Sequence, residues 1–226
     1  MTPAPKDPDA LTAPVEDYLK AVYEIERSGS AAATTTLAVR LGVAPGSVTG
    51  MVRRLAEQGL LAYEPYRGAT LTPAGRAAAL RTLRRHRVLE SYLATVLGYP
   101  WDRVHEEAER LEHAASDELV DRMAHALGDP LVDPHGAPIP TREGRVDETV
   151  HATLADIDVG ARVRVVRVSD DDGAMLRYLA ELGIRPGTPV AVVDRAPFGG
   201  PIGIEVAGVA RSVGPALAAQ VLVEPA

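Results

Sequence analysis

Apolar residues recur at Val15, Tyr18, Leu19 and Val22 within PVEDYLKAVYEIERS (residues 14–28), a stretch that opens on proline and stops at Gly29. The i, i+3, i+4, i+7 spacing predicts an amphipathic helix, with proline at a first-turn position where its missing N–H has no intrahelical partner to lose. TTTLAVRLGV predicts a short second helix with Leu37, Ala38 and Leu41 inward and Gly42 at its end. APGSVTGMVRRLAEQG follows, with Val48, Met51, Val52 and Leu55 on one face and Gly59 closing it. Two short helices about four residues apart, with Gly and Pro between them, have the layout of a helix-turn-helix. LLAYEPYRGATLT then reads as two short strands around an Arg67-Gly68 turn, a wing. Residues 14–73 are therefore expected to form a winged helix-turn-helix.

Thr72-Pro73 caps and starts a longer helix, apolar at Leu80, Leu83, Leu89, Leu93 and Leu97 and running to Gly98. GYPWD breaks it. Asp102 is placed to cap a helix over residues 103–114, and residues 116–127 predict one more before Gly128. These Ala/Leu-striped helices are too few to close a core alone, so residues 74–128 read as an all-α domain that buries a face against a second copy. Residues 129–155, rich in Pro, Gly and Asp, read as a linker, and residues 1–13 as a disordered leader. From Asp156 the pattern changes to period two: ARVRVVRV, PVAVVD, GIEVAG and AQVLVE, interrupted by the helical GAMLRYLAELG. Short strands at this spacing predict a small SH3-like β-barrel over residues 156–226. The expected class is multi-domain α+β.

Composition narrows the setting. No apolar run approaches the roughly 20 residues that span a bilayer, and the start lacks the basic-then-apolar layout of a signal peptide. The chain has no cysteine, which excludes disulfides and thiolate metal sites together and points to the cytoplasm. The net charge of −7 argues against nucleic acid until its distribution is read. Residues 34–87 carry nine Arg against two Glu, a net +7, leaving −14 to the remainder. Blocks of opposite sign suggest an anionic partner for the first and cations for the rest.

The acidic remainder includes HEEAERLEH (residues 105–113), two histidines and four glutamates in nine positions. On a helix, His105, Glu109, Glu112 and His113 fall on one stripe, and His86 and Glu90 form an i, i+4 pair on the preceding helix. Antiparallel neighbours would bring three imidazoles and three carboxylates together. Carboxylates held that close repel one another unless a divalent cation removes the penalty. A solvated acidic face is the alternative, and Asp17 by itself reads as a first-turn carboxylate answering the helix dipole. His125, His135 and His151 have no matched partners and read as surface or linker residues.

APVEDYLKAVYEIE, VAPGSVTGMVRRLAEQGLL, YEPYRGATLTPAGR, RRHRVLE and VHEEAERLEH, in that order over residues 14–128, resemble the diphtheria-toxin-repressor family of iron- and manganese-dependent repressors. The YRGATLT wing and the EDY of the first helix look most like the manganese branch. LAELGIRPGTPV is similar to the SH3-like (FeoA-like) C-terminal domain of longer members. The resemblance implies a primary metal site at Asp17, Glu109, Glu112 and His113. It implies a second at His86, Glu90 and His105, completed from the SH3-like domain, where counting back from LGIRPG gives Asp172 and, less suited to a hard cation, Met175. Lys20 stands where some compact manganese members have a glutamate, against a tightly coupled two-metal cluster. Iron-sensing members place softer sulfur ligands where Asp17 and Glu109 stand, so an oxygen-rich, thiol-free site implies Mn²⁺, with Fe²⁺ as the alternative.

On the third helix Ser47, Thr49, Gly50 and Arg53 lie off the apolar stripe with Arg54 beside them, and Arg67 sits at the wing tip. Ser, Thr and Arg there can meet phosphates or base edges, and Gly50 suggests reliance on phosphate contacts and DNA shape. The expectation is a homodimeric Mn²⁺-activated repressor, not an enzyme, that binds palindromic double-stranded operators of metal-uptake genes. It needs no membrane and no small-molecule substrate. An Fe²⁺-dependent repressor is the nearest alternative. A dinuclear metallohydrolase leaves the winged helix unexplained, and a peptide-binding scaffold leaves the basic block unexplained.

Overall fold

The computed structural model describes residues 11–27, 29 and 31–226; most of the expected leader, residues 1–10, lies outside the described residues. The chain divides into two compact units. The first holds the described residues up to Arg85 with Glu112–Ala114 and Pro140–Gly144, and the second holds His86–Leu111, Ala115–Ile139 and Arg145–Ala226.

In the first unit, α1 (Ala13–Glu26), α2 (Thr34–Leu41) and α3 (Pro45–Glu57) are followed by the hairpin β1 (Leu61–Glu64) and β2 (Gly68–Leu71), then by α4 (Pro73–Thr95), which continues into the second unit. Most of the apolar stripe positions are buried, Val15, Tyr18, Leu19 and Val22 on α1, Leu37 and Ala38 on α2, Val48, Val52 and Leu55 on α3, while Leu41 and Met51 are half-buried. The hairpin pairs antiparallel from Leu61↔Leu71 to Glu64↔Gly68. Ala32 extends it, donating to the Ala69 carbonyl at 2.8 Å and accepting from the Ala69 N–H at 2.9 Å. That third edge explains Gly68. Its φ is +96°, and a Cβ there would lie 2.8 Å from the Ala32 carbonyl oxygen. Gly68 therefore opens β2, and the wing apex falls one step earlier, where the Arg67 N–H donates to Glu64 O at 3.1 Å. Thr72 starts α4 as its sequence suggests, its Oγ1 accepting from the Gly75 N–H at 3.1 Å.

The second unit joins the end of α4 to α5 (Val104–Leu111), α6 (Asp117–Ala126) and a sheet domain. Val88, Leu89 and Leu93 pack with Val104, Ala108, Val120, Ala124 and Ile139. Ser116 caps α6, its side chain accepting from the Leu119 N–H at 3.2 Å. Leu97, expected inward, is 58% exposed because α4 stops at Thr95. The sheet comprises β3 (Ala152–Thr153), β4 (Arg162–Val168), β5 (Pro189–Arg195), β6 (Ile202–Val206), β7 (Val209–Val213) and β8 (Val221–Pro225), with α7 (Gly173–Glu181) and α8 (Pro215–Ala218) between strands. Its antiparallel order is β3-β8-β4-β5-β6-β7, so β3 and β7 are edges. Register shifts between Val165 and Arg167 and between Val192 and Asp194 bend it. Leu176 and Leu179 of α7 join its core.

Part of the stretch read as a linker is packed. Asp133, His135, Ala137 and Ile139 are buried. Asp133 Oδ1 accepts from the N–H groups of His135 at 2.8 Å and Ala137 at 3.0 Å, which closes a tight loop. Gly136 crosses β4 so closely, at φ +86°, that a Cβ would lie 2.0 Å from Val166 O. The Val168 N–H donates to His135 O at 2.9 Å. His135, read from sequence as a surface or linker residue, is thus wholly buried: backbone contacts with β4, which leave no trace in periodicity, draw it inside.

Candidate metal centre

Within the first unit, α1 places Asp17 and Lys20 three residues apart, on one face. Glu112 and His113, directly after α5, complete a cluster with them. His113 Nε2 lies 2.8 Å from Asp17 Oδ1 and 3.5 Å from Glu112 Oε1. Its other ring nitrogen, Nδ1, is 2.7 Å from Glu16 Oε2, and Glu16 accepts from Arg85 at 2.9 Å. With Nδ1–H donating to the Glu16 carboxylate, the ring is fixed and the Nε2 lone pair faces Asp17 and Glu112, where a cation would sit. Glu112 is fully buried, and Lys20 Nζ donates to it at 2.6 Å. Donor atoms of Asp17, Glu112 and His113 all lie within 4.8 Å of one another, close enough for one cation.

The second unit holds a larger cluster. His86 Nε2 lies 3.0 Å from Glu90 Oε1 and 3.1 Å from His105 Nδ1. Asp170 Oδ2 is 3.7 Å from His105 Nδ1 and 3.9 Å from His135 Nδ1, and His135 Nδ1 is 3.8 Å from Glu90 Oε1. Two donor sets result, His86–Glu90–His105–Asp170 and Glu90–Asp133–His135–Asp170, sharing Glu90 and Asp170. Burial opposes charge on Glu90, but the field of His86, hydrogen bonds from His105 and His86, and the field of His135 hold its carboxyl well below the ordinary range. Burial, then Glu90 and Asp170, push Asp133 up to about 7 against the pull of Arg87 and His135. Burial lowers His105, but its hydrogen bond to Glu90 and the charge of Asp170 outweigh that and raise it. Glu90 Oε2 and His135 Nδ1 are buried with no hydrogen-bond partner. Imidazole nitrogens and carboxylate oxygens converging around such atoms fit a divalent cation and offer it no sulfur.

On α3, Ser47, Gly50, Arg53 and Arg54 are exposed, while Thr49 is half-buried with its hydroxyl 3.3 Å from Pro45 O. Arg67 is exposed at the wing, 3.1 Å from Glu64.

Comparison with known proteins matches three segments of the chain to known domains. Residues 10–69 match the iron dependent repressor N-terminal DNA binding domain, residues 72–141 the iron dependent repressor metal binding and dimerisation domain, and residues 152–225 the FeoA domain. The diphtheria toxin repressor of Corynebacterium diphtheriae is 32% identical over 190 residues, 80% of this chain and 84% of that protein. The chain belongs to the diphtheria-toxin-repressor family. The iron-dependent repressor IdeR of Mycobacterium tuberculosis is 32% identical over 198 residues, covering 82% of this chain and 85% of its own. A manganese-dependent transcriptional repressor in complex with manganese is 40% identical with a TM-score of 0.89, covering 94% of this chain and all of that one. The structure of the manganese regulator SloR is 31% identical at a TM-score of 0.79, covering 94% of this chain and 98% of that one.

Family members are DNA-binding, metal-dependent transcriptional repressors and not enzymes, so the metallohydrolase alternative falls. The fold comprises the DNA-binding domain, the helical metal-binding and dimerisation domain, and the FeoA (SH3-like) sheet. Among the described residues no helix is long and apolar enough to cross a membrane.

Of the four residues expected at the primary site, Asp17, Glu112 and His113 come together. Glu109 belongs to the other unit, 3.6 Å from His86 Nδ1 and 3.8 Å from His105 Nε2. His86, Glu90 and His105 of the expected second site converge, but the carboxylate that joins them is Asp170. Asp172 is the N-cap of α7, its Oδ1 accepting from Ala174 N–H at 2.8 Å and Met175 N–H at 3.2 Å. Met175 packs against the sheet core. Asp133, His135 and Asp170, not among the residues expected from sequence, join the second cluster. A histidine between Pro134 and Gly136, two residues after Asp133 in VDPHG, was the available signal; in SDDDG nothing but the fold tells the three aspartates apart.

Proposed function

We propose that the chain is a homodimeric repressor activated by Mn²⁺, acting in the cytoplasm on palindromic operators of metal-uptake genes. The observation that carries this reading is the donor chemistry: both clusters are made of carboxylate oxygens and imidazole nitrogens, in a chain with no cysteine. Such a set suits Mn²⁺ better than donors that include sulfur. In this reading Asp17, Glu112 and His113 hold one ion, and the larger cluster binds metal through His86, Glu90, His105 and Asp170 or through Glu90, Asp133, His135 and Asp170, with Glu109 beside His86 and His105. A bound divalent cation supplies the positive charge that lets these carboxylates remain together. Asp17 then ties α1 to the segment after α5, and the helix-turn-helix built on α1 is steadied for its operator. Ser47, Thr49, Gly50, Arg53, Arg54 and Arg67 face the DNA. A coupling of about 1–3 kcal/mol shifts operator affinity roughly 5- to 150-fold.

Iron is the second reading, because relatives 32% identical are named iron-dependent. Selection from a random double-stranded DNA library, in chelator, Mn²⁺ or anaerobic Fe²⁺, decides between them. We expect an inverted repeat enriched in Mn²⁺ and lost in chelator. Enrichment confined to Fe²⁺ supports the iron reading, and equal enrichment in chelator overturns both.

A further inference from the structure

We propose that Lys20 is a tethered competitor for the metal at the Asp17–Glu112–His113 cluster and so sets the metal concentration at which the cluster fills. This rests on the reading of that cluster as a metal site. Lys20 and Glu112 are buried at 8% and 0% exposure, and the ammonium lies 2.6 Å from Glu112 Oε1, the same oxygen that is 3.5 Å from His113 Nε2. The oxygen that would bind a cation already holds one that is covalently attached to α1.

Charge counting gives the consequence its sign. Glu16, Asp17 and Glu112 bring three negative charges and Lys20 and Arg85 two positive ones, so with a neutral His113 the group stands at −1. A divalent ion takes it to +1. Without the charge of Lys20 the same group runs from −2 to neutral. Two effects therefore work in one direction. Lys20 stabilises Glu112 before metal arrives, and it repels the metal once bound. Like charges a few ångström apart in a half-buried site change an affinity by about tenfold or more. Lys20 thus biases the cluster toward filling only when metal is abundant, and keeps Glu112 paired meanwhile.

Isothermal titration of the full chain with Mn²⁺ at pH 8 tests this. Lys20→Gln, which removes the charge but can still donate to Glu112, is expected to bind the same number of ions, with the Asp17 cluster about tenfold or more tighter. Lys20→Arg, which keeps the charge, should bind Mn²⁺ at the Asp17 cluster more weakly than Lys20→Gln does. In chelator Lys20→Gln should melt below wild type, and Mn²⁺ should raise its midpoint by more. Should Lys20→Gln fail to fold without metal, Lys20→Met carries the same affinity test on an apolar stem. Unchanged or weaker Mn²⁺ affinity on removing the charge overturns the proposal. Asp17→Asn separates the two ideas. If it binds as many ions as wild type, the cluster is not a metal site and the underlying reading fails. If it loses one ion while Lys20→Gln titrates like wild type, the site stands and the role of Lys20 falls.

Discussion

Asp170 and Asp172 are two residues apart, and chemistry alone cannot distinguish them. Geometry does. Asp172 spends its carboxylate on the first turn of α7, while Asp170 turns toward His105 and His135. Opposite mutant behaviour follows. Asp172→Ala should cost about 1 kcal/mol of stability through the lost cap and leave Mn²⁺ stoichiometry unchanged. Asp170→Ala should leave the chelator-treated protein as stable as wild type but weaken or empty the larger cluster. Urea melts and calorimetric titration check both, and loss of an ion in Asp172→Ala would return that residue to the site. The donors legible in sequence, His86, Glu90, His105, Glu112 and His113, sit on or beside helices, where a fixed spacing converts position into direction. Asp133, His135 and Asp170 come from loops with no period. Their convergence depends on Gly136 crossing β4 and on His135 Nε2 reaching Trp101 O at 2.7 Å, contacts between segments distant in the chain. Burial of Glu16 and Lys20 on α1 was hidden for a related reason: a charged side chain reads as outward until its partner is known.

Among elements, the helices with strong stripes and the strands β4, β5, β6 and β8 were legible because one face of each is buried. β7 was not, since only Val213 of its five residues is buried, and an edge strand without alternation has no pattern to read. The wing was legible in outline, but its apex was displaced by the contact between Gly68 and Ala32. Gly68→Ala should therefore destabilise by about 1–3 kcal/mol, from a strained φ and a clash with backbone. Urea denaturation measures this, and a wild-type midpoint would mean that the Ala32 edge gives way freely. On α3, Arg53 is exposed beside Ser47 and Gly50. If it meets a phosphate, Arg53→Ala should weaken operator binding at every Mn²⁺ concentration and reduce the salt slope by about one. Fluorescence anisotropy at several salt concentrations reads that slope directly, and an unchanged one would move the DNA-facing surface off this residue.

For the whole molecule, the helical part of the second unit leaves Val96 and Leu97 after α4, and Leu119 on α6, 50%, 58% and 45% exposed. Three large aliphatic side chains in water suit a surface that a second copy covers, in the segment matched by the metal binding and dimerisation domain. In the proposed dimer two winged helices would read two half-sites, and joining them would multiply modest affinities by roughly 10²–10⁴. Leu97→Asp isolates that contribution. Leu97 is not core in the single chain, so the variant should fold and should still bind Mn²⁺ through Asp17, Glu112 and His113. A charge buried at the interface between copies should drive the dimer apart, halving the mass seen by sedimentation equilibrium. Operator affinity should then fall by about 100-fold or more even at saturating Mn²⁺, because each winged helix binds its half-site alone. A dimer of wild-type strength in Leu97→Asp would move the interface off this surface. A monomer that still bound the full operator like wild type would mean that one winged helix suffices.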